Sequence, residues 1–464
     1  MPEEDPTSAA LWFALASRLH RNGQWEDART AYLHVLDCDP SHRDALTDLG
    51  LLLQAKGYRS AARTLFSQAV GLYPSDAGAH IHLANLLREN GEWLAAKEHY
   101  DQALAADQTL WQAHQGLSYV LAEVGDDEAA CRHREAGFRN HAVNPLPLHG
   151  HTSSGTVLLL NSALGGNTPT ASLLDDQTFQ IIVLIVDYFT PGDPLPAHDL
   201  IVNAISDADL CTDSLLSAQA LIQRSSRPVI NDPKRVCATG RVPTGQRFAA
   251  IPGIVTARTT LLSRADLTSP GSGGALNRDG WTFPLLLRSL GHHTGRHFAR
   301  VDDESSLRER VAELPGDPLM LIESLPTAST DGLYRKYRVM FVGDEMYPLH
   351  LAISREWKVH YFSSEMGHVE AFRREEARFL DDMAQVLGTR ALAALACIQE
   401  TLGLDYAGVD FGLTDSGDLL LFEANATMIV PPVGTDPRFA YRQRAVDAII
   451  SAYTAMLCAA LAET

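Results

Sequence analysis

Residues 43–76 read RDALTDLGLLLQAKGYRSAARTLFSQAVGLYPSD, and residues 77–110 read AGAHIHLANLLRENGEWLAAKEHYDQALAADQTL. The two stretches of 34 residues align without a gap and place Gly57 above Gly91. Gly23 and Gly125 continue the same period on either side. A period of this length is typical of stacked helical repeats, in which each unit buries its apolar face against the next. The sequence therefore predicts a solenoid of helical repeats at this end of the chain.

Each unit carries two leucine columns and one alanine column. The spacing predicts a first helix with an apolar stripe and a second helix that approaches it closely where the side chain is small. The glycine falls between the two helices, where a left-handed backbone lets the chain reverse. The columns are Leu15, Leu49, Leu83 and Leu117, then Leu19, Leu53, Leu87 and Leu121, then Ala28, Ala62, Ala96 and Ala130.

This pattern resembles the tetratricopeptide repeat (TPR) over residues 9–138, in about four units. Gln108 replaces the proline that closes earlier units, and Arg134 replaces their aromatic side chain, so the array ends there. The resemblance implies a concave groove that binds a peptide or a protein. A rigid spacer and a dimerisation surface that would make a homodimer are the alternatives. His80 and His114 occupy a packing column, and we do not interpret them as metal ligands.

The composition excludes several classes of protein. A formal charge of −19 argues against nucleic acid and anionic membrane partners, because the average field of the molecule repels both. The acidic start, MPEEDPTSAA, is unlike a signal peptide, and the apolar run IIVLIVDYF is too short to cross a bilayer. The six cysteines have no paired spacing, which disfavours disulfides and zinc. We expect a cytoplasmic protein.

After the array the composition and the pattern of apolar residues change. Residues 141–154 are rich in Pro, Gly and Ser and predict a linker. From residue 155, apolar strand-like runs alternate with helical segments, which is typical of an α/β layer with a mostly parallel sheet. We therefore predict a multidomain chain with an all-α repeat solenoid over residues 1–140, an α/β domain over 155–236, and a second α/β (α+β) domain over 237–464.

Two strands near the C-terminus carry the strongest signal for a binding site. They read YAGVDFGLT and DLLLFEANA around the turn Asp415-Ser416-Gly417. Glu423 and Asn425 are two residues apart on one strand and share a face, and hairpin pairing brings Asp410 beside them. Carboxylate and amide oxygens are hard ligands that suit Mg²⁺ held together with phosphates. The alternative for each acid is an ordinary solvent-facing strand end.

The stretch GVDFGLTDSGDLLLFEANAT resembles the metal-binding signature of the ATP-grasp superfamily, and the match extends over residues 155–461. The resemblance implies a pre-ATP-grasp domain (155–236), a lid (about 250–325) and a metal-binding part (about 326–464). ATP would lie between the last two. It also implies ATP contacts from Arg241 and Arg288, which stand where the family usually has lysines, from the loop glycines Gly291 and Gly295, and from the hinge residues Glu323 and Leu325.

By the same resemblance the enzyme is a carboxylate–amine ligase. A carboxylate attacks the γ-phosphate of ATP to give an acylphosphate, and an amine displaces phosphate to give an amide. Arg338 would neutralise the transferred phosphate, with Lys336 beside it where the family usually has an acid. We expect Arg355, Lys358 and His360, a basic and aromatic segment, to orient the acid or the nucleophile; a solvated loop is the alternative.

Two other functions remain open at this stage. One is a phosphotransferase or kinase on the same fold, in which the phosphoryl group stays on its acceptor. The other is a TPR adaptor whose grasp fold binds nucleotide without catalysis, which the two lysine-to-arginine replacements favour. The sequence names neither substrate, because fold does not fix substrate. The array favours a peptide, protein or amino-acid substrate.

Overall fold

The computed structural model describes residues 6–150, 152–170, 172–269, 276, 279–291, 295–359, 364–434 and 436–462. The chain divides into two compact units. Unit 1 consists of Met1–Gly165, Leu174–Ile201 and Pro432–Asp436, and unit 2 consists of Gly166–Leu173, Val202–Pro431 and Pro437–Thr464. The predicted pre-ATP-grasp domain (155–236) is therefore shared between the two units instead of forming a body of its own.

Four helix pairs form the array in unit 1. They are α1 (Pro6–Arg21) with α2 (Trp25–Cys38), α3 (Arg43–Ala55) with α4 (Arg59–Leu72), α5 (Ala77–Glu89) with α6 (Trp93–Ala106), and α7 (Trp111–Val124) with α8 (Asp127–Phe138). The turn glycines Gly23, Gly57, Gly91 and Gly125 all have a positive φ, between 72° and 85°. The alanine column is fully buried, and the predicted helix–glycine–helix unit is confirmed.

Two further glycines set the distance between the helices of the array. A Cβ on Gly50 would lie 2.4 Å from the Phe66 ring, and a Cβ on Gly116 would lie 2.1 Å from the Tyr100 ring. Both aromatic rings are fully buried. Gly50 therefore leaves space for the ring of Phe66 on the following helix, and Gly116 leaves space for the ring of Tyr100 on the preceding helix. The interior has no room for an additional methyl group at either position.

The strands that follow the array belong to the same unit. β1 (Val143–Pro145) pairs antiparallel with β3 (Gln180–Ile185), which pairs parallel with β2 (Thr156–Asn161). The predicted linker, residues 141–154, thus contains the short strand β1. A three-residue edge strand that ends in proline has no periodicity to detect.

The last repeat packs directly on these strands. Phe138, at the end of α8, is buried with Ala163 and Ile185. Its ring stacks on Tyr188, with the ring centroids 5.9 Å apart. Repeat array and strands therefore share one core within unit 1.

Unit 2 begins in sequence with short elements that lead to two sheets. They are the second half of β4 (Leu200–Asn203), α9 (Thr212–Ile222), β5 (Val229–Ile230), α10 (Pro233–Cys237) and α11 (Arg241–Phe248). A loop between β4 and α9 carries Asp207 and Asp209, and Asp207 is 3% exposed. The carboxylate of Asp207 accepts hydrogen bonds from the backbone N–H groups of Asp209 and Leu210, which fixes the loop.

The first sheet has four antiparallel strands in the order β7 (Thr259–Leu262), β10 (Leu319–Glu323), β8 (Leu285–Ser289) and β9 (Phe298–Val301). One face is covered by α12 (Arg264–Thr268) and α13 (Glu304–Glu313). Helix α13 begins with a capping box between Asp303 and Ser306, as the sequence DESS suggests. The residues that fill the core between sheet and helices include Leu267, Leu285, Leu287, Leu307, Val311 and Leu321.

The second sheet has five strands in the order β12 (Glu345–Ser354), β11 (Tyr334–Val342), β13 (Tyr406–Leu413), β14 (Leu419–Asn425) and β6 (Ile254–Thr256). All neighbours are antiparallel except β14 and β6. The predicted turns are present, with Gly343 at φ 57° between β11 and β12 and Gly417 at φ 77° between β13 and β14. Both carboxylate-bearing strands thus lie inside the sheet.

Three helices flank the second sheet: α14 (Glu370–Asp381), α15 (Met383–Leu402) and α16 (Gln443–Ala462). The predicted helices at 373–387 and 389–402 divide differently, because Asp382 ends α14 and caps α15 by accepting from the Gln385 N–H. Gly388, with φ 74° and ψ 169°, interrupts α15 where the second helix was expected to begin. Residues 437–462 are long and apolar enough to cross a membrane by length and composition alone.

A buried ion pair joins α14 to Arg442, the residue directly before α16. Glu376 on α14 is 0% exposed and accepts a hydrogen bond from Nη2 of Arg442 at 2.7 Å. It also accepts from the Tyr441 hydroxyl and from the backbone N–H of Leu351 on β12. The four apolar side chains on the same side of α16 are buried: Val446, Ile449, Tyr453 and Leu457.

Candidate functional site

A cavity of about 830 Å³ lies within unit 2, between its two sheets. Leu286, Met320 and Ile322 of the four-stranded sheet line one wall and make it apolar. Strands β11, β13 and β14 of the five-stranded sheet line the other. A volume of this size suits a ligand as large as a nucleotide.

The charged side chains that line the cavity are mostly basic, and some of them are paired with carboxylates outside the lining. Among the described residues, seven lysine and arginine side chains and three carboxylates line the cavity, although the whole chain has a formal charge of −19. The excess positive charge would attract an anionic ligand and hold it away from the acidic exterior. The basic residues are Arg241, Arg288, Arg300, Arg335, Lys336, Arg338 and Lys358, and the acidic ones are Glu323, Asp410 and Glu423.

Asp410 lies at the centre of the polar wall. The register places it opposite Arg338, and Lys336 shares the face of Arg338 two residues earlier on β11. Oδ1 of Asp410 accepts from Nε of Arg338 at 2.6 Å, and Oδ2 accepts from Nη2 at 2.8 Å and from Nζ of Lys336 at 2.9 Å. Burial alone would raise the pKa of Asp410, but the two cations outweigh it and hold the pKa well below its usual range.

Glu423 stands opposite Asp410 on β14 and has its own cation. Its Oε1 accepts from Nη2 of Arg241 at 2.8 Å and from the side-chain amide of Asn425 at 2.9 Å. Arg241 also donates from Nη1 to Asp209 at 3.1 Å, so it bridges two carboxylates. The amide oxygen of Asn425 accepts from the backbone N–H and the hydroxyl of Thr427.

Arg288 on β8 faces this wall from the other sheet. Burial and the nearby Arg241 lower the pKa of Arg288 to about 10, and Glu423, Asp207 and Asp209 act in the opposite direction. Arg288 therefore stays cationic at neutral pH. Its position is that of a positive side chain directed into the space between the sheets.

Lys358 reaches the four-stranded sheet from the segment after β12. Its ammonium donates to the carbonyl oxygen of Phe298 at 3.1 Å, and both Lys358 and Arg288 lie within 6 Å of the Phe298 ring. Burial and Arg288 lower the pKa of Lys358. Gly295 has φ 72°, and a Cβ there would lie 2.9 Å from Cε of Lys358, so the glycine makes room for the lysine.

The predicted hinge residues Glu323 and Leu325 also line the cavity. The backbone N–H of Glu323 donates to the Arg258 carbonyl at 2.9 Å, and its carboxylate accepts from the Arg258 N–H at 3.1 Å. Glu323 thus fixes the edge of the cavity where β10 ends. Leu325 adds an apolar side chain beyond it.

Two predicted site residues within the described part of the chain, Gly291 and Arg355, do not line the cavity. Gly291 has φ 72° and lies against Leu210, outside the cavity lining. Arg355 is 62% exposed and pairs with Glu365 at 3.2 Å, because the chain turns outward where β12 ends. His360 lies outside the described residues. The other eleven predicted residues all line the cavity.

Sequence reasoning missed four charged residues near this wall. Arg300 and Arg335 line the cavity. Asp209 pairs with Arg241, and Asp207 acts electrostatically on both Arg241 and Arg288. The segment DAD at 207–209, which follows the end of β4 after three residues, was a usable signal, since polar residues at the carboxyl end of a strand commonly face a site.

The oxygen atoms of the proposed magnesium ligands are suited to a metal ion, provided that the ion binds together with an anionic ligand. Asp410 and Glu423 face each other across two strands, and Asn425 supplies an amide oxygen on the face of Glu423. No group of three His, Cys, Asp or Glu side chains suited to a metal occurs among the described residues. Lys336, Arg338 and Arg241 would repel a bare cation. The set therefore fits a cation that arrives with a polyanion such as a phosphate chain.

Comparison with known proteins bears on the array. A tetratricopeptide-repeat family model matches residues 13–77 and 47–110. A MamA crystal structure is 22% identical over 28% of this chain and 72% of its own, with a TM-score of 0.27. MamA 41-end from Desulfovibrio magneticus RS-1 is 22% identical with the same coverage and a TM-score of 0.26.

The first TPR of Spaghetti (RPAP3), bound to the HSP90 peptide SRMEEVD, is 17% identical over 27% of this chain and 98% of its own, with a TM-score of 0.26. No curated protein matches the chain. The family model extends over helices α1 to α6, helices α7 and α8 continue the same 34-residue period, and a mixed α/β region follows them. The N-terminal region of this protein consists of tetratricopeptide repeats.

Proposed function

We propose that unit 2 binds ATP in its cavity and uses it to join a carboxylate to an amine. The observation that carries this proposal is the cationic cavity enclosed by two sheets of an otherwise acidic chain. The apolar wall of Leu286, Met320 and Ile322 suits a base, and the basic side chains suit a phosphate chain. The resemblance of residues 408–427 to the ATP-grasp signature gives the reaction class.

The chemistry needs charge and position more than a protein nucleophile. A carboxylate oxygen attacks the γ-phosphorus, the bond to the bridging oxygen breaks, and ADP leaves with the electron pair. The amine nitrogen then attacks the acyl carbon, phosphate leaves, and the nitrogen loses a proton to give an amide. Arg338, Lys336 and Arg288 would stabilise the negative charge on the transferred group. Magnesium, held by Asp410, Glu423 and Asn425 together with the phosphates, would neutralise part of their charge.

The repeat array would bind the partner of unit 2. TPR solenoids present extended concave surfaces that bind peptides and proteins, so we propose a peptide or protein substrate, or a partner that delivers an amino acid. The alternative is an adaptor without catalysis. Its TPR part would bind a protein, its cavity would hold nucleotide without turnover, and its repeats would be the same. A phosphotransferase would use the same cavity and the same cations.

Binding of ATP is the first test. Arg288→Met removes one cation from the cavity wall, and Arg308→Met on the outer face of α13 removes the same charge from the surface, where Arg308 pairs with Glu304. A lost charge-assisted hydrogen bond of about 1.5–3 kcal/mol predicts at least a tenfold weaker binding of ATP. Calorimetric titration should show this loss for Arg288→Met only. Equal affinities for the wild type and both variants would contradict the assignment of the cavity.

The product decides between the three functions. ATP, magnesium and candidate acids are incubated with the protein, and hydroxylamine is added to trap an acylphosphate. A hydroxamate that depends on the acid supports the ligase. A stable phosphoester would identify a phosphotransferase, and binding of ATP without turnover would identify the adaptor.

A further inference from the structure

One hydroxyl in the wall of the cavity has no hydrogen-bond partner. Thr244 lies on α11, lines the cavity and is 5% exposed. Its Oγ1 is shielded from solvent and forms no hydrogen bond within the described part of the chain. Buried polar groups of folded proteins are nearly always paired, so an unpaired one beside a cavity indicates a partner that binds there.

Other threonines in the helices of this chain satisfy their hydroxyls locally. Oγ1 of Thr30, Thr64 and Thr268 each donates to the backbone carbonyl four residues earlier, at 3.0, 3.1 and 2.8 Å. A helical threonine can generally form this bond. Thr244 does not, although its own backbone N–H donates to the corresponding carbonyl, that of Gly240, at 2.9 Å. The helix therefore leaves this hydroxyl available to another acceptor.

A second unsatisfied donor lies one helical turn earlier. Arg241 is three residues before Thr244 on α11, so the two side chains share a face of the helix, and both line the cavity. Nη1 of Arg241 donates to Asp209 and Nη2 donates to Glu423. Its Nε has no partner among the described residues. An acceptor that contacts this face of α11 could take both hydrogens.

The surrounding charges favour a phosphate chain as this acceptor. A guanidinium N–H binds anionic oxygens more strongly than neutral ones. Asp209 and Glu423 already hold the same guanidinium, however, and they would repel a carboxylate that arrives alone. Arg288 lines the same cavity and acts electrostatically on this group of charges. A phosphate chain that arrives with Mg²⁺ carries its own positive charge, so it meets less repulsion than a free carboxylate.

We propose that Thr244 donates its hydroxyl to an oxygen of the phosphate chain, with Nε of Arg241 as the second donor. This inference rests on the proposed function, because ATP is the ligand that brings the phosphates. Rotation about the Cα–Cβ bond of Thr244 moves the hydroxyl between staggered positions without a shift of the helix. Thr244 is thus a binding residue for the phosphates, and its hydroxyl is satisfied when they are bound.

The test separates the hydroxyl from the shape of the side chain. Thr244→Val removes the hydroxyl and keeps the shape, whereas Thr244→Ser keeps the hydroxyl. Calorimetric titrations use ATP and tripolyphosphate, each with Mg²⁺. Thr244→Val should bind both at least about tenfold more weakly, because a hydrogen bond to a charged group is lost. Thr244→Ser should bind both as the wild type does.

The matched control is Thr268→Val on α12. It removes a hydroxyl that donates to the Arg264 carbonyl and lies outside the cavity lining, so binding should not change. The free Thr244→Val protein should melt at the same temperature as the wild type or higher, because no hydrogen bond of the fold is lost. A lower melting temperature would show that the hydroxyl has a partner within the fold, and would overturn the inference.

The binding results also distinguish the inference from the proposed function. If the wild type and Thr244→Val bind ATP equally, the inference is wrong and the proposed function stands. An equal loss in Thr244→Val and Thr244→Ser would also overturn the inference, since packing and not the hydroxyl would be responsible. If the wild type binds tripolyphosphate but not ATP, and Thr244→Val loses this binding, the phosphate contact stands and the proposed function is wrong. A wild type that binds neither ligand would overturn both.

Discussion

The charge network around Asp410 makes a quantitative prediction about stability. Asp410 is 4% exposed at its side chain and neutralises both Arg338 and Lys336 through three short hydrogen bonds. Asp410→Asn keeps the shape but removes the negative charge, so two largely buried cations lose their anion and face a neutral amide. Loss of one partner of a buried ion pair costs about 3–5 kcal/mol, a large share of a typical stability of about 5–15 kcal/mol.

Glu423→Gln is the matched variant on the opposite strand. Its side chain is 22% exposed, and glutamine keeps an oxygen that can accept from Arg241 and Asn425. We expect a loss of about 1–2 kcal/mol, since one hydrogen bond is weakened and none is left buried without an acceptor. Urea unfolding at neutral pH, without nucleotide, measures both values.

Acid unfolding provides the second readout. The pKa of Asp410 lies below its value of about 3.9 in an unfolded chain, so its contribution is complete above that pH and is lost as the pH falls below it. The asparagine variant should lack this part of the acid dependence. If the free energy of unfolding of Asp410→Asn at pH 7 differs from that of the wild type by less than about 1 kcal/mol, the cluster of Asp410, Arg338 and Lys336 does not stabilise the fold.

Three further predictions concern the packing of the array, a buried ion pair and the core beneath the last repeat. Gly116→Ala should cost about 1–3 kcal/mol by overpacking against Tyr100, whereas Gly71→Ala, with nothing within 4 Å, should be neutral or stabilising by up to about 1 kcal/mol; the difference in melting temperature checks both. Glu376→Gln should lower the free energy of unfolding by about 3–5 kcal/mol, because it leaves a buried arginine without its anion, and unchanged urea unfolding would contradict this. Phe138→Ala should cost about 3–5 kcal/mol and expose the strands under the last repeat, which binding of a hydrophobic dye would report.

The array could be predicted from sequence almost residue by residue. Its period places Gly57 and Gly91 at the turns and Ala62 and Ala96 at the closest approach, and repeat units contact mainly their neighbours, with Phe138 at the end of the array as an exception. The predicted boundaries of the helices that flank the five-stranded sheet were less accurate. Asp382 is an ordinary polar residue in sequence, and only its hydrogen bond to the Gln385 N–H makes it the start of α15.

Most residues predicted for the candidate site line one cavity, but the sequence did not predict how their charges pair. Alternation on a strand places Lys336 with Arg338 and Glu423 with Asn425, and this much is local. Which strands are neighbours is decided by the fold of the whole unit, so the sequence could not show that Arg338 lies opposite Asp410. The expected free carboxylates are in fact ion-paired, and the excess of cations in the cavity appears only when both sheets are assembled.

The shared core at Phe138 has a consequence for synthesis of the chain. A ribosome releases the eight helices before residues 156–185, so the array can fold while the strands that cover Phe138 are still being made. During that interval the ring is a solvent-exposed apolar group at the growing edge of the solenoid. Synthesis of β3 and of the turn after it then supplies Ile185 and Tyr188, which cover the ring. A chain that ends directly after the array would lack both side chains, and its Phe138 would have no strand to pack against.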